Sequence, residues 1–155
     1  MYPIPGSSGY MTRAEQLPPT RFHASVGTPT RGQLVTLKTN NLYYLANNTS
    51  SLDANVCGVI VGAHMTAGGV IDVVTVAYCG DEVPLRLFGT LAQLQALGTS
   101  HTAFLGSAGG SITPQQEIGV WARRVFRVPK VFSSLTEEDY QRLWVLLIEE
   151  TPMQT

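Results

Sequence analysis

Short apolar runs separated by turn-forming residues are the feature that most constrains the fold of this chain. From Gly32 onward, runs rich in Val, Ile, Leu and Tyr alternate with clusters of Gly, Asn, Asp and Ser. This pattern is typical of β-strands joined by tight turns. The predicted strands are 33–38, 41–46, 56–63, 70–78, 83–88, 102–105, 118–128 and 143–150. The sequence therefore predicts a mostly β domain over residues 32–155, built as a small β-barrel or sandwich.

Two connections between predicted strands have a clear turn chemistry. Thr39 and Asn40 join the first two strands, and Asn tolerates the left-handed backbone that a tight hairpin requires. Residues 67–69, with the sequence Ala-Gly-Gly, turn between the strands 56–63 and 70–78. Because both of these strands are nearly continuous apolar runs, as in strands covered on both faces, we expect them at the centre of the sheet.

One or two short helices interrupt the predicted strands. Residues 90–97 are predicted to form a helix that ends at Gly98, a common residue just beyond a helix end. Thr136 is a predicted N-cap, and the acidic residues 137–139 that follow it complement the positive N-terminal end of a helix dipole. Both helices are expected to be short.

Residues 1–31 are predicted to form an extended arm ahead of the domain. Five of the nine prolines lie in this part of the chain, and such a density excludes a helix or a central strand. Apolar residues occur singly among polar ones, unlike in a disordered tail. Fully extended, the arm reaches about 100 Å at about 3.3 Å per residue. The partner-binding residues predicted within it are Tyr2, Ile4, Tyr10, Met11, Arg13, Arg21, Phe22 and Arg31.

The charge content excludes some classes of partner. Charged residues make up only 14% of the chain, against about 25% in an ordinary domain, so we expect a partner to cover part of the surface. A net charge of −1 provides no overall positive potential that could bind a polyanion, so nucleic acid is not an expected partner. No apolar run reaches the roughly 18 residues of a membrane-spanning helix, so no membrane partner is expected either.

The positive charges cluster, and most are arginines. Eight of the ten are Arg, whose planar fork suits fixed contacts at an interface. Arg123, Arg124 and Arg127 lie close together, whereas residues 137–150 are mainly acidic. These three arginines are predicted contacts to another copy or to a scaffold. The alternative is ordinary surface arginine, since isolated surface charge pairs contribute little.

Neither a metal site nor a catalytic site is supported by a local motif. His23, His64 and His101 with Cys57 and Cys79 could in principle supply a zinc site, but no compact ligand spacing is present. No GxSxG motif occurs, and neither cysteine has a positive neighbour in sequence. We therefore expect no cofactor and no enzymatic activity. A small hydrolase with a triad assembled in space and a disulfide between the two cysteines both remain open.

Several segments, taken in order, resemble the small β-barrel modules of tailed-phage virions. They are RGQLVTLKTNNLYYL (31–45), VCGVIVGA (56–63), VIDVVTVAYCG (70–80), FLGSAGGSITP (104–114), IGVWARRVFRV (118–128) and SLTEEDYQRLWVLLIEE (134–150). In the order and composition of these segments the chain is similar to the capsid decoration, or cement, proteins. The resemblance covers roughly residues 31–150 and implies a β-tulip-like barrel.

This resemblance also implies a function and a location. It implies a structural protein, made in the host cytoplasm, that sits on the outer capsid surface of the virion. There, a dimer or trimer would use its arm to staple neighbouring major capsid proteins and stabilise the head. The alternative is a receptor- or carbohydrate-binding module of a phage tail or head fibre. That function needs an exposed aromatic cluster, for which the candidates are Tyr43, Tyr44, Tyr78, Trp121 and Trp144.

Overall fold

The computed structural model describes residues 21–65 and 71–155, with the side chains of residues 21–62 and 75–155. The prediction of a mostly β chain with two short helices is confirmed. The strands are β1 (Leu34–Leu37), β2 (Tyr43–Leu45), β3 (Gly58–Met65), β4 (Ile71–Tyr78), β5 (Glu82–Pro84), β6 (Thr102–Leu105), β7 (Ile112–Thr113), β8 (Trp121–Ala122), β9 (Arg124–Arg127), β10 (Trp144–Leu146) and β11 (Met153–Gln154).

Both predicted helices are present. The N-cap predicted at Thr136 is confirmed, whereas the helix predicted over 90–97 is shorter, with Thr90 as its N-cap. Helix α1 (Leu91–Gln95) follows Thr90, and α2 (Glu137–Arg142) follows Thr136. Each threonine accepts a hydrogen bond from the backbone of the third helical residue, whose side chain in turn accepts one from the threonine backbone. Three short 3₁₀-helices complete the regular structure, at Ala24–Val26, Leu85–Phe88 and Phe132–Ser134.

The first sheet has four antiparallel strands in the order β2-β1-β3-β4. The predicted hairpin of β1 and β2 is confirmed, with Thr36 opposite Tyr44. Its left-handed residue is Asn41, at φ 62°, and not Asn40. Asn41 N donates to Lys38 O and Lys38 N donates to Leu42 O, so the bend falls one residue later than the sequence predicts.

The expectation that both long apolar strands are central holds for β3 and is wrong for β4. β3 lies between β1 and β4, whereas β4 forms the edge of the sheet within the described residues. β1 pairs with β3 only at Gly58 and Val59, so most of the β3–β4 ladder extends beyond β1. Apolar composition indicates that a strand is covered, but it does not indicate which neighbour covers it.

The second half of the chain forms three smaller antiparallel sheets: β7-β6-β9, β10-β5 and β11-β8. Ile148 N donates to Val125 O at 2.8 Å, which links the segment after β10 to β9. The strand predicted over 118–128 is divided at Arg123 into β8 and β9. The strand predicted over 83–88 is shorter in the structure, since β5 ends at Pro84 and the chain continues as the 3₁₀-helix Leu85–Phe88.

Two apolar clusters lie on opposite faces of the first sheet. The larger contains Leu34 of β1 together with Phe126, Phe132 and other buried side chains of the second half. The smaller contains Val35, Tyr43, Ile60 and Val76. Leu34 and Val35 are neighbours in β1 and point to opposite faces, as the pleat requires. None of the helices in the described residues is long and apolar enough to cross a membrane.

Candidate functional site

The residues that lead into the domain lie along the free edge of β2. Tyr43 N donates to Arg21 O and His23 N donates to Tyr43 O, each at 3.0 Å, and Phe22 forms a parallel bridge with Tyr43. Residues 21–23 therefore extend the first sheet beyond β2. This is the geometry by which an extended segment adds to an exposed sheet edge.

Aromatic contacts hold this junction. The rings of Phe22 and Tyr43 have centroids 5.7 Å apart, and the ring of His23 stacks on Tyr44 at 4.6 Å. Tyr43 lies in the smaller cluster, against which the half-buried Phe22 packs. Phe22, predicted as a partner-binding residue, thus contacts its own domain. The described end of the arm belongs to the folded unit.

The other arm residues divide into two groups. Arg21 and Arg31 are exposed, so their guanidinium groups are accessible for a contact with a partner. The other predicted contact residues lie outside the described residues; they are Tyr2, Ile4, Tyr10, Met11 and Arg13. Their role in binding stays a prediction.

Arg123 is buried, with 2% of its surface exposed, and so is not the surface contact that its sequence position suggested. Its guanidinium donates to three backbone carbonyls, at Arg124 (2.8 Å), Val56 (3.3 Å) and Ile148 (2.7 Å). The Nε atom is buried without a hydrogen-bond partner. Arg123 therefore joins the start of β9 to the segments before β3 and after β10. The sequence alone does not distinguish Arg123 from its exposed neighbours in this respect, because Arg124 follows it directly.

Arg124 and Arg127, the other two predicted contacts, reach the surface. Arg124 forms an ion pair with Glu150 at 3.1 Å, and its backbone N–H also donates to that carboxylate. Arg127 is exposed, and its Nη2 lies 3.1 Å from Nδ1 of His101. Both side chains are accessible to another molecule, and their role as contacts stays a prediction.

A cleft of about 510 Å³ lies beside Arg123 and is lined in part by Cys57, Cys79, Tyr78 and Glu149. The sequence left open a disulfide between these two cysteines. In this structure both thiols are free. Although neither cysteine has a positive neighbour in sequence, the fold brings Arg123 Nη2 to 3.4 Å from Sγ of Cys79. The cleft therefore combines two thiols with a buried cation.

The thiols of this cleft are poor nucleophiles near neutral pH. Burial raises the pKa of Cys57 to about 12, and the neighbouring Cys79 contributes in the same direction. Burial also raises the pKa of Cys79, although Arg123 opposes that rise. The reactive form of a cysteine is the thiolate, so this geometry does not activate either residue.

The described residues contain no cluster of three or more His, Cys, Asp or Glu side chains that could hold a metal ion. His23 contacts Ser25 and Tyr44, and His101 contacts Arg127. These two histidines therefore take part in local polar and ring contacts.

Large apolar side chains are exposed on β10, which lies within the strand predicted over 143–150. Trp144 is 57% exposed and Leu146 is 53% exposed, whereas Val145 between them is buried. The alternation of residues in a strand was the signal that could have revealed this face. The other exposed large apolar residues are Leu37, Leu52, Ile118 and Met153.

The five aromatic residues proposed for a fibre module do not form a single exposed cluster. Tyr43 is buried and lies with Tyr44 and Tyr78 near the arm junction, whereas Trp121 is half-buried on β8 and Trp144 is exposed on β10. Comparison of the chain with protein-family models, curated proteins and solved structures finds no match. The proposed function therefore rests on the sequence and on the geometry of the chain.

Proposed function

We propose that this chain is a structural protein of a tailed-phage virion that binds the outer capsid surface and staples neighbouring major capsid proteins. The observation that carries the proposal is the arm junction, where residues 21–23 extend the first sheet beyond β2. This pairing fixes the point from which residues 1–20 depart. At about 3.3 Å per residue, those residues span about 65 Å when extended, enough to reach a neighbouring subunit.

The sequence of the arm suits a staple. Its isolated apolar side chains, such as Tyr10 and Met11, can each fill a small pocket on a partner. Its prolines restrict the backbone before binding, which lowers the entropy lost when the arm becomes ordered. Because a capsid presents many equivalent sites, and linked copies bind with high avidity, weak individual contacts are sufficient.

In this proposal the domain is a small barrel or sandwich of the β-tulip type. The larger apolar cluster collects side chains from the first sheet, from β5 and β10, and from β6 and β9. The hydrogen bond from Ile148 N to Val125 O ties two of these sheets together around that cluster. Such a rigid body, with a fixed exit for the arm, suits a function by assembly without catalysis.

A fibre module that binds a receptor or a carbohydrate is the second candidate, favoured by the exposed ring of Trp144. Stacking on a sugar usually involves an exposed aromatic platform. Three of the five candidate aromatics lie near the arm junction and contact one another or its histidine, so Trp144 is the exposed ring that such a module would use. Tight binding of the chain to a soluble glycan, lost in Trp144→Ala, would favour this candidate.

The stapling function is tested by the heat stability of capsids. Expanded empty capsids are mixed with the full chain, and their disruption is followed by light scattering as temperature rises. We expect a higher disruption temperature with the chain, and no increase with a variant carrying Ser in place of Tyr2, Ile4, Tyr10 and Met11. A Leu52→Ser variant, which changes one exposed apolar residue of the domain, is the matched control and should stabilise as the natural chain does. Equal stabilisation by the arm variant would contradict the stapling function.

A further inference from the structure

The outward face of β10 and β5 is a small apolar stripe. In the antiparallel pair, Trp144 lies opposite Pro84 and Leu146 lies opposite Glu82. Residues directly opposite each other point to the same side of a sheet. The alternate pair, Val145 with Val83, is buried on the inner side. The outer side therefore presents three apolar side chains and one carboxylate, which we call the β10 face.

The exposure of this face points to a partner. Large aromatic residues are enriched at protein interfaces. Here Trp144, with more than half of its surface exposed, lies beside the exposed Leu146, and together they form an apolar patch. More than half of the surface of each of these two side chains is open to solvent within the described residues. The strand itself is well fixed, since Leu85 N donates to Leu143 O and Gly80 N donates to Leu147 O. A rigid apolar stripe loses little entropy when it binds.

Opposite charges lie at the two ends of the β10 face. Arg142, the last residue of α2, precedes Trp144 by two residues, and its side chain is 79% exposed. Its ion pair with Glu138 is an exposed pair one helical turn apart, of a kind that exchanges easily. At the other end, Glu82 is exposed and forms no ion pair within the described residues. One end of the face thus adjoins the Arg142 guanidinium with its partner Glu138, and the other end carries the Glu82 carboxylate.

We propose that the β10 face is a two-fold contact between two copies of this chain. A two-fold axis through the middle of the stripe places Trp144 of each copy on Leu146 of the other. It also places Arg142 of each copy against Glu82 of the other, so each favourable contact occurs twice. A partner of different sequence would have to supply this apolar stripe and both charges, whereas a second copy carries all of them.

This contact deepens the proposed assembly function, because it would pair the domains that carry the arms. It is tested on the full chain alone, without capsids, so its failure is separate from a failure of capsid binding. The natural chain is compared by sedimentation equilibrium with Trp144→Ser and with Ile118→Ser. Ile118, which is 96% exposed in the loop before β8, is the matched apolar control. We expect a dimer for the natural chain and the control, and a monomer for Trp144→Ser.

The charge arrangement supplies the sharper test. Glu82→Arg and Arg142→Glu should each raise the dimer dissociation constant by about tenfold or more, because each places like charges together. The double variant Glu82→Arg/Arg142→Glu restores opposite charges and should return the constant to within about threefold of the natural value. Glu138→Gln, which breaks only the helical ion pair, should leave the dimer unchanged.

Three results would overturn the contact. One is a natural chain that stays monomeric at high concentration or forms a trimer. Another is a dimer that Ile118→Ser weakens as much as Trp144→Ser does. The third is a double charge variant that dimerises no better than either single variant. Circular dichroism of each variant confirms that the changes are confined to the surface.

Discussion

The hydroxyl oxygens of Tyr43 and Tyr78 lie 2.6 Å apart, which joins β2 to β4 across a sheet in which two other strands separate them. Tyr43 also packs against Phe22 at the arm junction. One tyrosine therefore connects the start of the described chain to both edges of the first sheet. The stability of this sheet and the attachment of the arm are coupled through it.

Removal of one hydroxyl from this pair should destabilise the domain. We expect Tyr78→Phe to lower the free energy of unfolding by about 1 kcal/mol, the net contribution of a typical hydrogen bond. Urea denaturation followed by fluorescence measures the change. Tyr44→Phe is the control, because the Tyr44 hydroxyl bonds to Asn40 in an exposed turn, and it should change stability by less than about 0.5 kcal/mol. Equal effects of the two substitutions would contradict the role of the pair.

Phe22 is expected to hold the start of the arm against β2. Phe22→Ala removes its ring contact with Tyr43, which is worth about 1 kcal/mol, and should release residues 21–23 from the sheet edge. Hydrogen exchange is a direct measurement, since the N–H groups of His23 and Tyr43 form the junction bonds. Both amides should lose protection while amides in the β1–β3 ladder keep theirs. Unchanged protection at His23 would show that the junction does not depend on this ring.

Arg123 should be essential for folding stability. Arg123→Ala leaves the carbonyls of Val56, Arg124 and Ile148 without this donor, and we expect a loss of about 2–4 kcal/mol. Arg123→Lys should recover little, because an ammonium group cannot reproduce the planar fork. Arg127→Ala, at an exposed position, should stay within about 0.5 kcal/mol of the natural chain in the same urea titration. A mild effect of Arg123→Ala would refute this structural role.

The buried thiol of Cys57 should make stability depend on alkaline pH. Its pKa is raised from 9.0 to about 12 in the folded chain, mainly by burial. Between these values the unfolded chain loses the proton while the folded chain keeps it, so the free energy of unfolding falls as pH rises from about 9 to about 12. Thiol modification at neutral pH should be slow for the same reason.

Cys57→Ala provides the comparison for this pH dependence, because it removes the thiol and leaves every other titratable group in place. The variant should show a shallower decline in stability above pH about 9, measured by urea denaturation at a series of pH values. An identical decline in the natural chain and the variant would show that the Cys57 thiol does not contribute.

Local signals in the sequence were sufficient to predict most of the helices and strands. They were not sufficient to predict which strands lie next to one another. Thr136 lies at the helix start that it predicts, because capping depends on the adjacent residues alone. The edge position of β4 and the burial of Arg123 depend on pairings between distant segments. Composition within one segment cannot determine such pairings.

The candidate site was only partly predictable for the same reason. Phe22 was identified as an isolated apolar anchor, but its partner Tyr43 lies in a different strand, so its contact with the chain's own domain was not foreseen. The exposure of Trp144 and Leu146 follows from the strand period once one face is assigned. That assignment required knowing which side of β10 meets the core.

Co-sedimentation of the full chain with expanded empty capsids tests the central claim most directly. The account predicts saturable binding at a fixed number of copies per capsid, lost when the apolar residues of the arm are replaced by Ser. A chain that stays in the supernatant at all ratios, or that pellets without saturation and regardless of the arm, would contradict the account.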